Sequence, residues 1–130
     1  MEHCNTFEYD LKIGNLFENK LENILNNAKL EVKTDFKALR TGNIFLEYES
    51  RGKKSGILKS KADFYVFIFS MQYIIMIEKE TLINIAREVY RVDGFVRGGD
   101  NKTSKGVLIP IRKIQNYVKA VNKKGVTFDK

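Results

Sequence analysis

Two stretches of the chain decide the predicted fold: Glu31-Val-Lys-Thr-Asp35 and Asn43-Ile-Phe-Leu-Glu-Tyr-Glu49. In both, side chains of different character alternate, which is typical of a β-strand with one face toward the protein interior. The residues between them, Arg40-Thr-Gly-Asn43, have the composition of a turn. The sequence therefore predicts an antiparallel hairpin with strands over residues 29–38 and 44–50.

The register of this hairpin would bring acidic side chains together. With the turn centred on Thr41, Asp35 lies directly across from Glu47, and Lys33 lies across from Glu49. Side chains opposite each other in an antiparallel pair have Cβ atoms about 5 Å apart. Charged groups on half-buried strands are costly unless they are paired or hold a metal ion. We therefore expect Asp35 and Glu47 to be metal ligands; the alternative is a solvated outer face, where alternating charges are ordinary.

Such a carboxylate pair favours metal-dependent hydrolysis of a phosphodiester. A few carboxylates hold Mg²⁺, and the ion polarises the phosphoryl oxygen and lowers the pKa of the attacking water. The backbone carbonyl of Tyr48 would add a third oxygen ligand. The expected cofactor is therefore Mg²⁺, with Mn²⁺ as a substitute.

Hydrophobic periodicity predicts the remaining elements. Nearly continuous runs of β-branched and aromatic residues indicate two buried strands in the middle of the chain. The predicted elements are a helix over 9–27, a short helix over 57–61, strands over 63–70 and 73–77, a helix over 79–89, a polar glycine-rich loop over 92–106, a strand over 107–109 and a last helix from Pro110 to about Val121. We expect one domain over residues 1–130, with 121–130 as a mobile tail.

Composition excludes several classes of protein. Cys4 is the only cysteine and His3 the only histidine, which excludes an intrachain disulfide, a thiolate zinc cluster and Ser-His-Asp catalysis. The chain has no apolar stretch near the roughly 20 residues that span a membrane. The sequence therefore predicts a soluble cytoplasmic protein with no membrane partner.

Charge is distributed unevenly along the chain. Residues 1–50 carry six Lys or Arg against nine Asp or Glu, a net −3, whereas residues 51–130 carry seventeen against seven, a net +10. Five cations with no acid among them follow the acidic strand directly: Arg51, Lys53, Lys54, Lys59 and Lys61. We expect these side chains, together with Ser55, to bind the phosphates of DNA in a salt-dependent manner. The alternative is a solvated loop.

The order of these elements resembles the core of the PD-(D/E)xK nuclease superfamily, and within it the small Holliday junction resolvases of archaea and phages. The likeness covers roughly residues 11–78. Gly14-x-x-x-Glu18 in the first helix resembles the helix motif of that family. Asp35 matches the aspartate of the second motif, and Glu47 matches the first position of (D/E)xK.

This resemblance implies an α/β protein of restriction-endonuclease-like fold, with a central mixed β-sheet flanked by helices. It implies a catalytic set of Asp35, Glu47, Glu49, Lys33 and Glu18, of which Glu18 would approach the metal site. The implied substrate is branched DNA, in particular a four-way junction, which presents two symmetric strands for cutting. Paired cuts need two active sites, so the expected assembly is a homodimer.

Two positions depart from the family pattern. Thr34 replaces the usual proline before Asp35, and Glu49 replaces the lysine of (D/E)xK. We expect Lys33 to supply the function of that lysine, with Lys53 or Lys54 as alternatives. A second interpretation takes Glu31-Val-Lys33 itself as the (D/E)xK motif, with Asp10 as the upstream aspartate. The alternatives for function are a nuclease acting on a flap, nick or linear duplex, and a catalytically silent nucleic-acid-binding module of the same fold.

Overall fold

The computed structural model describes the backbone of residues 2–124 and the side chains of residues 6–99 and 101–117. It is a mixed α/β structure, as predicted. The helices are α1 (Glu2–Asn27), α2 (Ala38–Thr41), α3 (Lys79–Asp93) and α4 (Ile111–Lys124). The strands are β1 (Leu30–Thr34), β2 (Asn43–Ser50), β3 (Lys53–Lys54), β4 (Phe64–Ser70), β5 (Tyr73–Glu78), β6 (Val96–Gly98) and β7 (Ser104–Pro110). Short 3-10 turns occur at Gly56–Leu58 and Asp100–Lys102.

Contacts divide the chain into two compact units, and helix α1 forms the described part of the first. The helix begins seven residues before the predicted start, at Glu2, and ends at Asn27 as predicted. The backbone N–H of Ala28 still donates to the Ile24 carbonyl at 2.8 Å, and the Asn27 side-chain amide donates to the Asn23 carbonyl at 3.1 Å. These bonds satisfy groups that a helix end otherwise leaves without partners. One domain over residues 1–130 stays a prediction.

The second unit, from Lys29 to Gly125, contains a three-stranded mixed sheet in the order β1-β4-β5. Strands β4 and β5 are both predicted, and they pair antiparallel. The predicted burial of β5 is wrong, because β5 is an edge strand in which Ile77 is buried and Ile74 is exposed. Alternate residues of β4 are buried in the core: Tyr65, Phe67 and Phe69. Strand β1 lies parallel to β4, with Lys33 beside Phe67.

The predicted hairpin between residues 29–38 and 44–50 is wrong. Strand β1 pairs with β4, whereas β2 lies in a four-stranded antiparallel sheet in the order β3-β2-β7-β6. The residues between β1 and β2 form helix α2, which ends at Gly42 in the left-handed conformation with φ of 77°. A helical turn of this kind moves the chain to another sheet, whereas a two-residue turn would have returned it alongside β1.

Helix α3 covers the core face of the four-stranded sheet. It extends to Asp93, four residues beyond the prediction, and buries Leu82, Ile85, Ala86 and Val89. The strand residues Ile44 and Ile109, which are register partners, are almost fully buried on that side. The core therefore depends on β2 and β7, two strands that are about sixty residues apart in the sequence.

The end of the chain differs from the prediction in two ways. The loop predicted over residues 92–106 contains strand β6 and the start of β7, and Pro110 ends β7 instead of opening α4. Helix α4 continues to Lys124, so residues 121–124 of the predicted tail are helical, and the mobility of the tail stays a prediction. The remaining residues of that predicted tail lie outside the described part of the chain. Among the described residues, no helix is long and apolar enough to cross a membrane.

Candidate functional site

A cavity of about 360 Å³ collects three of the predicted catalytic residues: Lys33, Asp35 and Glu47. Lys33 lies on β1, Asp35 directly follows that strand, and Glu47 lies on β2. The apolar side chains of Phe67, on β4, and Ile57 form part of the cavity wall. The two sheets therefore meet at this cavity, and each contributes a carboxylate to it.

Asp35 is fixed at the end of β1 by backbone hydrogen bonds. Its N–H donates to the carbonyl of Ile68 at 2.9 Å, which extends the pairing of β1 with β4 by one residue. Its Oδ1 accepts the N–H of Ala38 at 3.1 Å, in the turn that leads into α2. The carboxylate thus stabilises the turn through one oxygen and leaves Oδ2 for a ligand.

Glu47 is held by the Ser55-Gly56 dipeptide that follows the basic turn. The Ser55 hydroxyl donates to Glu47 Oε2 at 2.7 Å. Gly56 has φ of +52°, and a β-carbon at this position would stand 2.1 Å from the Glu47 carbonyl oxygen. Only glycine permits this approach. Gly56 therefore positions the backbone of Glu47, and Ser55 positions its carboxylate.

Strand β2 contains a β-bulge between Glu47 and Glu49. Glu47 pairs with Gly106 and Glu49 pairs with Lys105, which are consecutive residues of β7, so Tyr48 is the extra residue. A bulge breaks the alternation of side chains along its strand.

The bulge separates two glutamates that the sequence pattern places on one face. Glu49, opposite Lys105, shares the face of Val107 and of its partner Leu46, while Glu47 lies on the other face. The Lys105 ammonium lies 3.6 Å from the Glu49 carboxylate. Glu49 therefore occupies an ion pair, and it does not line the cavity of Asp35 and Glu47.

The predicted pairs of Asp35 with Glu47 and of Lys33 with Glu49 are wrong, because β1 and β2 belong to different sheets. The Lys33 ammonium lies 3.4 Å from the carboxylate of Glu31 on its own strand, and both side chains are partly exposed. Lys33 nevertheless reaches the same cavity as Asp35, so the cavity holds one cation and two carboxylates.

Asp35 and Glu47 carry oxygen ligands of the kind that a hard divalent cation prefers. Mg²⁺ takes oxygen ligands, keeps several waters and needs only one or two carboxylates besides substrate phosphate. In each carboxylate one oxygen accepts a hydrogen bond, and the other has no partner among the described residues. Within that part of the chain, three or more His, Cys, Asp or Glu side chains nowhere gather as a metal-binding group. A metal ion here would therefore complete its shell with water and substrate.

The Tyr48 carbonyl, predicted as a third metal ligand, accepts the N–H of Ser55 at 3.0 Å. This bond links the bulge to the segment that holds Glu47. Its role as a ligand stays a prediction. So does the role of Glu18, which lies on α1 in the other compact unit.

The basic segment after β2 forms a tight hairpin. Arg51 and Gly52 have φ of 51° and 79°, the left-handed values of a type I′ turn, and Lys54 of β3 pairs with Glu49. The five predicted DNA-binding cations are all exposed: Arg51, Lys53, Lys54, Lys59 and Lys61. The hairpin carries Arg51, Lys53 and Lys54. Lys59 and Lys61 lie farther along the chain, after Ser55 and the 3-10 turn.

The sequence pattern assigned Ser55 to DNA binding, but it predicted neither the approach of Gly56 to the Glu47 backbone nor the pairing of Lys105 with Glu49. Glycine is the usual residue where the backbone approaches another group closely, so the sequence did carry a signal for Gly56. The partnership of Glu49 with Lys105 had no local signal, because the two residues are 56 positions apart and meet only through the β2–β7 register.

Comparison with known proteins leaves this geometry without a relative: no family model, curated protein or solved structure matches the chain. A function for this protein must therefore be inferred from its own residues and contacts.

Proposed function

We propose that this protein is an Mg²⁺-dependent endonuclease that cuts DNA, with Mn²⁺ able to replace Mg²⁺. The observation that supports this proposal best is the cavity shared by Lys33, Asp35 and Glu47. Two carboxylates with one uncommitted oxygen each, beside a single lysine, are the groups that metal-assisted hydrolysis of a phosphodiester requires.

In this proposal Asp35 and Glu47 hold the metal ion and Lys33 acts on the substrate. When bound, Mg²⁺ would supply Lewis-acid stabilisation of the phosphoryl oxygens and a water of lowered pKa. Hydrogen bonds from Ala38 N–H and from the Ser55 hydroxyl fix both carboxylates before substrate arrives. Lys33, whose only ion-pair partner among the described residues is the partly exposed Glu31, can turn toward the negative charge that develops on the phosphate.

The exposed cations of the β2–β3 hairpin support DNA as the substrate. Arg51, Lys53 and Lys54 follow Glu47 closely along the chain and carry no acid among them. Contacts from such side chains to phosphates position a duplex without reading its sequence. Binding should therefore weaken steeply as salt rises.

The specific form of the proposal is a Holliday junction resolvase that acts as a homodimer. A four-way junction has two equivalent strands to cut, and a two-fold dimer would present two cavities to them. The resemblance of the motif order around Gly14, Asp35 and Glu47 supports this form. The fold expected with it is restriction-endonuclease-like.

Incubation of the purified protein with a synthetic four-way junction and Mg²⁺ tests the proposal. We expect paired nicks from the unaltered protein, and cutting abolished in Asp35→Asn with junction binding retained. Glu80→Gln, which removes an exposed carboxylate on α3, is the matched control and should cut normally. Binding without cutting in both Mg²⁺ and Mn²⁺ would instead support a silent binding module. If linear duplex is cut as readily as the four-way junction, the resolvase proposal is contradicted, but the nuclease proposal is not.

A further inference from the structure

A second cavity, of about 280 Å³, adjoins the first, since Leu46 and Ile57 line both. Apolar side chains form its floor: Leu46, Ile57, Leu58, Ile83, Ala86 and Val107. Its size lies just below that of pockets for drug-sized ligands, and it suits a flat group such as one nucleobase.

Two tyrosines stand at the edge of this apolar floor. The rings of Tyr48 and Tyr90 meet edge to face, with centroids 6.2 Å apart and an interplanar angle of 84°. Burial raises the pKa of the Tyr48 hydroxyl, and the neighbouring Tyr90 and Glu49 act in the same direction while Arg97 opposes them. Tyr48 is therefore neutral at physiological pH, and the pair offers aromatic surface for stacking.

Two arginines complete the cavity from helix α3. Arg87 and Arg91 are one helical turn apart, both line the cavity, and both are exposed. Neither makes an ion pair or a side-chain hydrogen bond with any residue that the structure describes. By contrast, Lys105 on the neighbouring strand is paired with Glu49. The rim thus holds two cations available to a phosphate beside an apolar and aromatic floor.

We propose that this second cavity binds one nucleotide of a single DNA strand, with the base against Tyr48 and Tyr90 and the phosphate on Arg87 and Arg91. The choice of partner rests on the proposed function. The shared wall of Leu46 and Ile57 places the cavity next to the proposed cutting site, where a junction or other branched DNA offers unpaired bases. A duplex keeps its bases stacked and paired, so its phosphates would reach the arginines while its bases could not fill the floor.

Binding of a short fluorescein-labelled thymidine oligonucleotide, measured by anisotropy in EDTA, tests this proposal without any cutting. We expect Tyr90→Ala to weaken binding about tenfold, because the base then loses an aromatic ring against which it stacks. Tyr90→Phe keeps the ring and should bind as the unaltered protein does. Arg87→Ala with Arg91→Ala should reduce the slope of log affinity against log salt by about 1.4.

The matched control is Arg112→Ala with Lys113→Ala, which removes the same charge from exposed positions at the start of α4. It should leave the salt slope within about 0.3 of the unaltered value. A second readout is photo-crosslinking of an oligonucleotide that carries 5-iododeoxyuridine, with the attachment site found by mass spectrometry. Attachment to Tyr48 or Tyr90, lost in the double arginine variant, supports the proposal.

The proposal is overturned if the α3 double variant and the α4 control have equal slopes of log affinity against log salt. It is also overturned if crosslinks form only on the β2–β3 hairpin. Equal dependence of duplex and single-strand binding on Tyr90 would also overturn it. The binding assay and the cutting assay test the two proposals separately. If the protein binds the oligonucleotide through Arg87 and Arg91 but does not cut DNA, the nucleotide site is supported and the nuclease proposal is contradicted.

Discussion

Glu47 and Glu49 are two positions apart on one strand, yet they lie in different chemical surroundings. Glu47 faces the cavity of Lys33 and Asp35 and is held by a serine hydroxyl, which leaves an oxygen for a ligand. Glu49 is paired with Lys105 on the opposite face. The bulge at Tyr48 causes the difference, because one extra residue sends the second glutamate to the other side of the sheet. We therefore propose a catalytic role for Glu47 and a structural role for Glu49.

The largest expected effect separates the two glutamates directly. Glu47→Gln should lower Mg²⁺-dependent cutting at least about 100-fold, because loss of a metal ligand removes several kcal/mol of transition-state stabilisation. Glu49→Gln should change the rate less than about threefold, since the side chain does not line the cavity. Single-turnover kinetics on the four-way junction measure both. Equal losses in the two variants would contradict the separation.

A smaller effect is expected where Gly56 approaches the backbone of Glu47. Gly56→Ala combines a positive φ with a clash against a backbone oxygen, and should lower the free energy of unfolding by about 3 kcal/mol. Gly42→Ala is a matched control, since Gly42 also has positive φ but has open space around it. It should cost only about 1 kcal/mol. Urea unfolding measures both, and equal costs would show that the approach to Glu47 is unimportant.

The Ser55 hydroxyl should affect activity more than stability. Ser55→Ala removes the hydrogen bond that orients the Glu47 carboxylate, and such supporting groups typically change metal affinity or activity 10-fold or more. We expect the Mg²⁺ concentration at half-maximal cutting to rise about tenfold. Ser70→Ala, at the end of β4 and away from the cavity residues, should leave it unchanged. A normal Mg²⁺ dependence in Ser55→Ala would mean that Glu47 needs no support.

The smallest effect concerns the ion pair on the opposite face. Both side chains of the Glu49–Lys105 pair are about one-third exposed, so their coupling should be roughly 0.5 kcal/mol and should decrease with salt. A double-mutant cycle with Glu49→Gln and Lys105→Gln isolates this coupling from the contact of Lys105 with the Phe95 ring. A coupling above about 2 kcal/mol would contradict this expectation, because it exceeds what a partly exposed ion pair contributes to stability.

The sequence predicts elements better than it predicts their pairing. Local hydrophobic patterns predict strands β4 and β5 and the helix from Lys79, and the structure confirms these three elements. The burial expected of both strands holds for alternate residues of β4 and not for β5, which is an edge strand. The partner of β2 could not be predicted in this way, because β7 is separated from it by about sixty residues and looks like the end of a polar loop. The turn composition at Arg40 favoured a hairpin, and tertiary packing of β2 against β7 prevailed instead.

The acidic residues of the candidate site could be predicted from the sequence, but their arrangement in space could not. Asp35 and Glu47 were selected as charges on half-buried strands, and that physical reason does not depend on the hairpin. Alternation along β2 also placed Glu49 beside them, which the bulge at Tyr48 prevents. A bulge has no reliable signature in one sequence, because it depends on the register of the neighbouring strand.

Whether Asp35 and Glu47 hold one metal ion is tested most directly with a crystal of the protein soaked in Mn²⁺, with the ion located by its anomalous scattering. We expect one ion in contact with carboxylate oxygens of both residues, at about 2.1 Å. This ion should be absent in Glu47→Gln. An ion bound by Glu49, or a cavity that takes no ion while the Asp35 and Glu47 side chains remain in place, would contradict this expectation.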